Sequence, residues 1–272
     1  MKGLAHIGVL QALEELGRLP ATVVGSSIGS LIAAAWCAGT SPAELKEFAL
    51  QVTRRDLFRV AHRNMALKRM RSPGLYQRGP LMNVIHGLLG DLTFAELERP
   101  LLVNTVDLNA GTQVLWGSAG YDDVPVADTV YASCAMPGYL PSQRIKGRFY
   151  ADGAPVSNLP VEAAAQLGSD LVVAVDVGST VPHRTDMDRV GFAAVYARAT
   201  EIAIGSMRNM MLEHWDRPPL VLIQPRVATY SLFTFTHNET LVTEGYRAAI
   251  EALRDPDRLP GPDARGVFKL SE

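Results

Sequence analysis

Cysteine is scarce in this chain: Cys37 and Cys134 are the two in 272 residues. Each sits inside an apolar stretch and neither has a neighbour at metal-ligand spacing, so the expectation is buried free thiols in a reducing compartment, with no metal site and no cofactor. An excess of one charge is missing too. The 26 Lys and Arg face 28 Asp and Glu, which gives no overall electrostatic basis for a nucleic-acid partner. No apolar run approaches the roughly 18 residues that span a bilayer, the longest being "SLIAAAWCAG". The opening "MKGLAHIGVLQALEELG" imitates a signal peptide, but it carries Gln11, Glu14 and Glu15 at helical spacing and lacks a small-residue cleavage site. It is therefore read as structure. A soluble, cytoplasmic protein is expected, and without a linker-like break residues 1–272 are read as a single domain.

What is present is a regular alternation. Leu4, Ile7, Leu10, Leu13 and Leu16 form the stripe of an amphipathic helix that stops at Gly17. "ATVVG" predicts a strand, and "GSLIAAAWCAG" a helix so apolar on all sides that it must be buried. Ser41-Pro42-Ala43-Glu44 reads as a capping box opening a helix to about Thr53. "PLLVNTVDL", "TQVLWGS", "GRFYADG", "DLVVAVDVG" and "PPLVLIQP" predict strands, the first two joined in a hairpin through Asn109-Ala110-Gly111. Further helices are expected over "PVEAAAQLG", from about Val190 to Glu213, and after an Asn238 cap. Strands alternating with helices indicate an α/β fold with a mostly parallel central sheet and one antiparallel hairpin.

Gly25-Ser26-Ser27-Ile28-Gly29 fits G-x-S-x-G and falls between a predicted strand and a predicted helix. So sharp a turn tolerates no side chains beside the serine, which explains Gly25 and Gly29, and it pushes the Ser27 hydroxyl into the open. Using background frequencies of about 7% for Gly and a similar value for Ser, a chain this long shows the pattern by chance roughly one time in ten. The strand-to-helix context argues for a nucleophile over a plain turn. A phosphate-binding turn is the weaker alternative, because neither Gly-x-Gly-x-x-Gly nor a Lys-Ser/Thr pair accompanies it.

A serine hydroxyl needs a base. Of the histidines, His6, His62, His86, His183 and His214 read as surface or capping residues, and His237 is the runner-up base for a Ser-His-Asp esterase. The stronger candidate is Asp152 in "FYADGAPVSNLP", at a strand end beside flexible Gly153. In parallel α/β sheets, sites lie beyond the carboxyl ends of strands, and both Ser27 and Asp152 occupy such positions.

These residues together resemble the patatin-like phospholipases, in particular bacterial members related to the neuropathy target esterase domain. "KGLAHIGVLQAL", "GSSIGSLIAAAWCAG", "ASCAMPGYLPSQ", "YADGAPVSNLPVEAAAQLGSDLVVAVDV" and "LVLIQP" occur in the family's order over nearly the whole chain. The resemblance implies a three-layer α/β/α fold and a Ser-Asp dyad without histidine, Ser27 as nucleophile and Asp152 as its proton acceptor. Asp152, Gly153 and Ala154 match the family's Asp-Gly-Gly/Ala motif. It implies a lipid or fatty-acyl ester substrate and an acyl-enzyme. It also implies a glycine-rich oxyanion loop, Gly-Gly-Gly-x-Arg/Lys-Gly, before the first helix. This sequence opens at Met1-Lys2-Gly3, so the expectation is a chain lacking the first strand and that loop, with the amides of Lys2, Gly3 and Ile28 as the remaining oxyanion donors. Loss of a donor typically costs about 2.7 to 4 kcal/mol of transition-state stabilisation, and a weakly active or non-catalytic scaffold is the alternative reading.

Between Arg54 and Arg78, basic residues alternate with Leu57, Phe58, Val60, Met65, Leu67, Met70 and Leu75. The segment suits peripheral contact with a membrane, cations toward head groups, or more plainly a lid with a solvated basic face. Met207, Met210 and Met211 could line an acyl-chain tunnel or fill a core.

Overall fold

The computed structural model describes residues 2–61, 74–178, 191–216, 218–230, 235–261 and 263–270. The chain forms two compact units, one of residues 19–156 with 233–239, the other of residues 1–18, 157–232 and 240–272.

The first unit carries a five-stranded sheet of β1 (Val23–Ser26), β2 (Leu101–Asp107), β3 (Thr112–Trp116), β4 (Gln143–Ile145) and β5 (Arg148–Asp152). β2 is buried at all seven positions and organises the rest. β3 runs antiparallel along one side of it, from Val103↔Trp116 to Asp107↔Thr112. The other side is shared by two strands in line. β1 is parallel to the first half, ending at Ser26↔Asn104, and β5 is antiparallel to the second half, ending at Thr105↔Asp152. β1 and β5 therefore meet carboxyl end to carboxyl end at adjacent positions of β2. β4 continues the sheet beyond β5.

The apolar helix expected after β1 is Ile28–Cys37, buried from Gly29 to Cys37. It packs on β1, β2 and the helix Val126–Cys134. The Trp36 ring lies beneath the Arg99 guanidinium, 4.5 Å from its centroid, which also donates to the Trp36 carbonyl. The capping box at Ser41 is formed, with Glu44 bonded back to the Ser41 amide, and opens the helix Pro42–Gln51.

The second unit has a parallel sheet, β6 (Val172–Val175), β7 (Leu220–Ile223) and β8 (Val267–Phe268). Leu159, Val161, Val172, Ala174, Leu220 and Leu222 form its core, with Met211 packed against them. The helices Ala5–Glu15 and Asn238–Leu253 cross where glycines face backbone. A Cβ on Gly8 would lie 1.9 Å from the Val242 carbonyl oxygen, and one on Gly245 would lie 1.8 Å from that of Ala5.

The α/β class expected from the sequence holds. The sheet of the first unit is mixed rather than mostly parallel, because β5 arrives from a hairpin with β4 instead of a crossover helix and so runs against β2. Among the described residues no helix is long and apolar enough to cross a membrane.

The glycine crossing yields an expected outcome. Gly8→Ala forces backbone apart in a buried contact, so chemical denaturation should show a loss of about 1–3 kcal/mol. Unchanged stability would contradict the close crossing.

Candidate active site

Ser27 follows the last residue of β1 and precedes the first turn of the helix Ile28–Cys37, with φ 51° and ψ −132°. For a non-glycine residue this is a strained conformation that its surroundings must hold. Three groups do so. The Ser27 amide donates to Ser133 Oγ at 2.8 Å, and the Ser27 carbonyl accepts from the Ser30 amide at 2.9 Å and from Ser30 Oγ at 2.6 Å. Gly25 is required, since a Cβ there would stand 2.5 Å from the Ser30 Cα.

Asp152, the last residue of β5, is 2% exposed. Its amide donates to the Ala135 carbonyl at 3.1 Å. Its carboxylate accepts from the Ala154 amide at 3.0 Å and from the Ser27 hydroxyl. The two residues singled out in the sequence are therefore in direct contact. Short strands meeting head-on bring them together, and the stretch Ser133–Ala135, leaving the helix Val126–Cys134, takes the amide of each.

Burial sets the electrostatics. Removal from water pushes the Asp152 carboxyl up to about 6, against the Ala154 amide and the Ser27 hydroxyl, which both favour the ionised form. The neighbouring Cys134 thiol is raised by the same desolvation and by the Asp152 charge. It is a poor nucleophile in that state.

Behind the junction, the Asn104 amide donates to Ser26 Oγ at 3.2 Å, while its oxygen accepts from Gln113 Nε2 at 2.8 Å. The Asn104 carbonyl takes the Ser133 hydroxyl proton at 2.7 Å. A Cβ on Gly153 would meet Asn104 Nδ2 at 2.3 Å, so Gly153 is glycine because a buried amide occupies that space. Asn104 and Gln113 had no motif to mark them. The one available sign was an amide side chain inside the strand "LLVNTV".

Lys2 and Gly3 belong to the other compact unit, in the one-turn helix Lys2–Leu4. His237 is exposed, and the group bonded to the Ser27 hydroxyl is the Asp152 carboxylate. His6 Nδ1 lies 2.7 Å from the Gly3 carbonyl oxygen, and His214 Nδ1 is 2.8 Å from that of Met210. His62 and His183 lie outside the described residues, as do Arg63, Lys68, Arg69 and Arg71 of the basic segment. Its two ends are tied into the fold. Arg54 donates to the Tyr76 hydroxyl, and Arg78 lies 4.9 Å from the Tyr131 ring centroid and donates to Gln143 at 3.0 Å. Met207 and Met210 are exposed rather than lining an enclosed tunnel.

A family model described as Patatin-like phospholipase matches residues 1–165. An uncharacterized NTE family protein of Mycobacterium tuberculosis is 28% identical over 179 residues, 66% of this chain and 47% of the relative. Human patatin-like phospholipase domain-containing protein 6 is 30% identical over 195 residues, 70% of this chain and 13% of that protein. Lysophospholipase nte1 of Aspergillus fumigatus is 26% identical over 290 residues, 96% of this chain and 18% of that protein. The matched region thus spans about half of the mycobacterial relative and less than a fifth of the other two.

The raised carboxyl has a consequence for stability. Below about pH 4 Asp152 is protonated in both folded and unfolded chains. Between about 4 and 6 the unfolded chain releases a proton that the folded chain keeps, so the contribution to stability falls as pH rises and levels off above. The shift from 3.8 to about 6 corresponds to about 3 kcal/mol. Asp152→Asn should therefore be more stable than the parent at pH 8 in urea unfolding, with the gap closing toward pH 4. A gap independent of pH would contradict the desolvated carboxylate.

Proposed function

The chain belongs to the patatin-like phospholipase family, and from that premise we propose that it is a serine acyl hydrolase cleaving carboxylic ester bonds of lipids through Ser27 and Asp152. The observation that carries this reading is the hydrogen bond from the Ser27 hydroxyl to a buried carboxylate with a raised pKa.

In the ionised form Asp152 accepts the Ser27 proton as Ser27 Oγ forms its bond to the ester carbonyl carbon. A carboxylate is a weak base for a hydroxyl, and burial narrows that mismatch by raising its affinity for the proton. The tetrahedral species collapses, the alcohol leaves with the proton held by Asp152, and an acyl-Ser27 ester remains. Water, giving its proton to the same carboxylate, then releases the carboxylic acid and restores Ser27. The Ile28 amide, at the positive end of the helix Ile28–Cys37, is the first oxyanion donor in this proposal.

A lysophospholipid-like substrate is taken from the name of the Aspergillus relative. Residues 1–272 are taken as one functional domain, and peripheral membrane contact through the Arg54–Arg78 segment as the means of reaching a lipid surface. With the exposed Arg54 and Arg78 already bonded to Tyr76 and Gln143, that contact is assigned to the residues between them.

A fluorophosphonate ester probe and release of fatty acid from lysophospholipid micelles test the reading. Ser27→Ala should abolish labelling and lower turnover at least about 1000-fold, whereas Ser26→Ala should still label. Absence of labelling in the parent chain would favour a non-catalytic scaffold, and loss in Ser26→Ala alone would move the nucleophile.

A further inference from the structure

We propose that Asn104 is a positioning residue, its side chain fixing the span between Ser27 and Asp152 by bracing Ser26 and Gly153, the neighbours of the two. The inference rests on the reading of Ser27 and Asp152 as the reacting pair.

The strand geometry creates the need. β1 and β5 end head-on at Asn104 and Thr105 of β2, and no ladder bond joins one end to the other, because both strands bond sideways to β2. Their separation is therefore set by what stands at the junction. Side chains alternate across a strand, so Ser26, paired with Asn104, shares its face, while Asp152 pairs with Thr105 and faces the other way. Gly153, one residue on, returns to the face of Asn104.

Asn104 meets that need from both sides. It is fully buried, with its nitrogen on Ser26 Oγ and standing where a Cβ of residue 153 would be. Gln113 on β3, which pairs with Val106, holds its oxygen and fixes which way the amide faces. A planar amide with both ends engaged has little freedom to rotate, and it acts as a spacer against inward drift and as a tie on Ser26. The Asn104 carbonyl extends the same control to the Ser27 amide through Ser133. Thr105 at the next position is engaged elsewhere, with Trp116 and the Val114 carbonyl.

The test compares the parent chain with Asn104→Ala by two independent readouts. The rate of fluorophosphonate labelling at Ser27 should fall about 10- to 100-fold, the scale of a misplacement near 1 Å. On ester turnover, kcat should fall in proportion while KM stays within about 2-fold. A carbon-13 carboxyl titration of Asp152 should move its midpoint above that of the parent, because the Ser27 hydrogen bond that favours the ionised form is stretched. Unchanged rate and midpoint in the folded variant overturn the proposal. A lower rate with an unchanged midpoint overturns it too, since general loosening leaves that hydrogen bond intact. Should Asn104→Ala fail to fold, Gln113→Ala, at a half-buried position, should shift both readouts the same way by a smaller factor, and no shift there counts against it. A parent chain that does not label would defeat the proposed hydrolase, while the Asp152 titration would still decide the role of Asn104.

Discussion

Two strands converge on one edge of β2 from opposite directions and stop one residue apart. Much of the site follows from that collision. Each chain has to leave the sheet at once, so β1 turns through Ser27 with a positive φ and β5 turns through Gly153. The residues at the two exits are Ser27 and Asp152, and they bond to each other. The helix Ile28–Cys37 can start immediately after Ser27 because it is apolar enough to be buried on all sides against β1, β2 and the helix Val126–Cys134.

The same crowding sets the electrostatics on which the proposed chemistry draws. A carboxylate at a strand end in open solvent would be an ordinary weak base. Here the neighbouring elements exclude water and raise its pKa to about 6, and two hydrogen-bond donors keep the ionised state accessible. Desolvation alone would favour a permanently neutral acid, whereas strong hydrogen bonding alone would give a carboxylate too stable to take a proton. A carboxyl raised to about 6 lies between these limits, and in the proposed hydrolase it serves as the base without a histidine. It also gives the strained Ser27 backbone a purpose, since the turn that aims its hydroxyl at Asp152 is held by Ser133 and Ser30 rather than by regular structure.

The local part of this arrangement was legible in the sequence. Ser27 and Asp152 stood out because each needs flanking glycine at a strand end, and "GSLIAAAWCAG" could only be a buried helix. The direction of β5 was not legible: strand patterning reports which residues are extended but not which neighbour they choose, and a short hairpin through Lys146 and Gly147 reverses the chain. The helix Val126–Cys134 was missed because "VADTVYASC" mixes β-branched and aromatic residues without a side-chain cap and is buried on nearly every side, which erases the helical period. Asn104 was hidden for a related reason. Its importance comes from partners 9, 49 and 78 residues distant, namely Gln113, Gly153 and Ser26, and only the folded register brings them together.

The central claim is that the desolvated Asp152 carboxylate is the base for Ser27. Its most direct test is the pH dependence of the rate at which a fluorophosphonate labels Ser27, measured in the parent chain and in His237→Ala. The account predicts a rate that falls below about pH 6 in both proteins. A limb at an ordinary carboxylate pKa, or one that disappears when His237 is replaced, would contradict it.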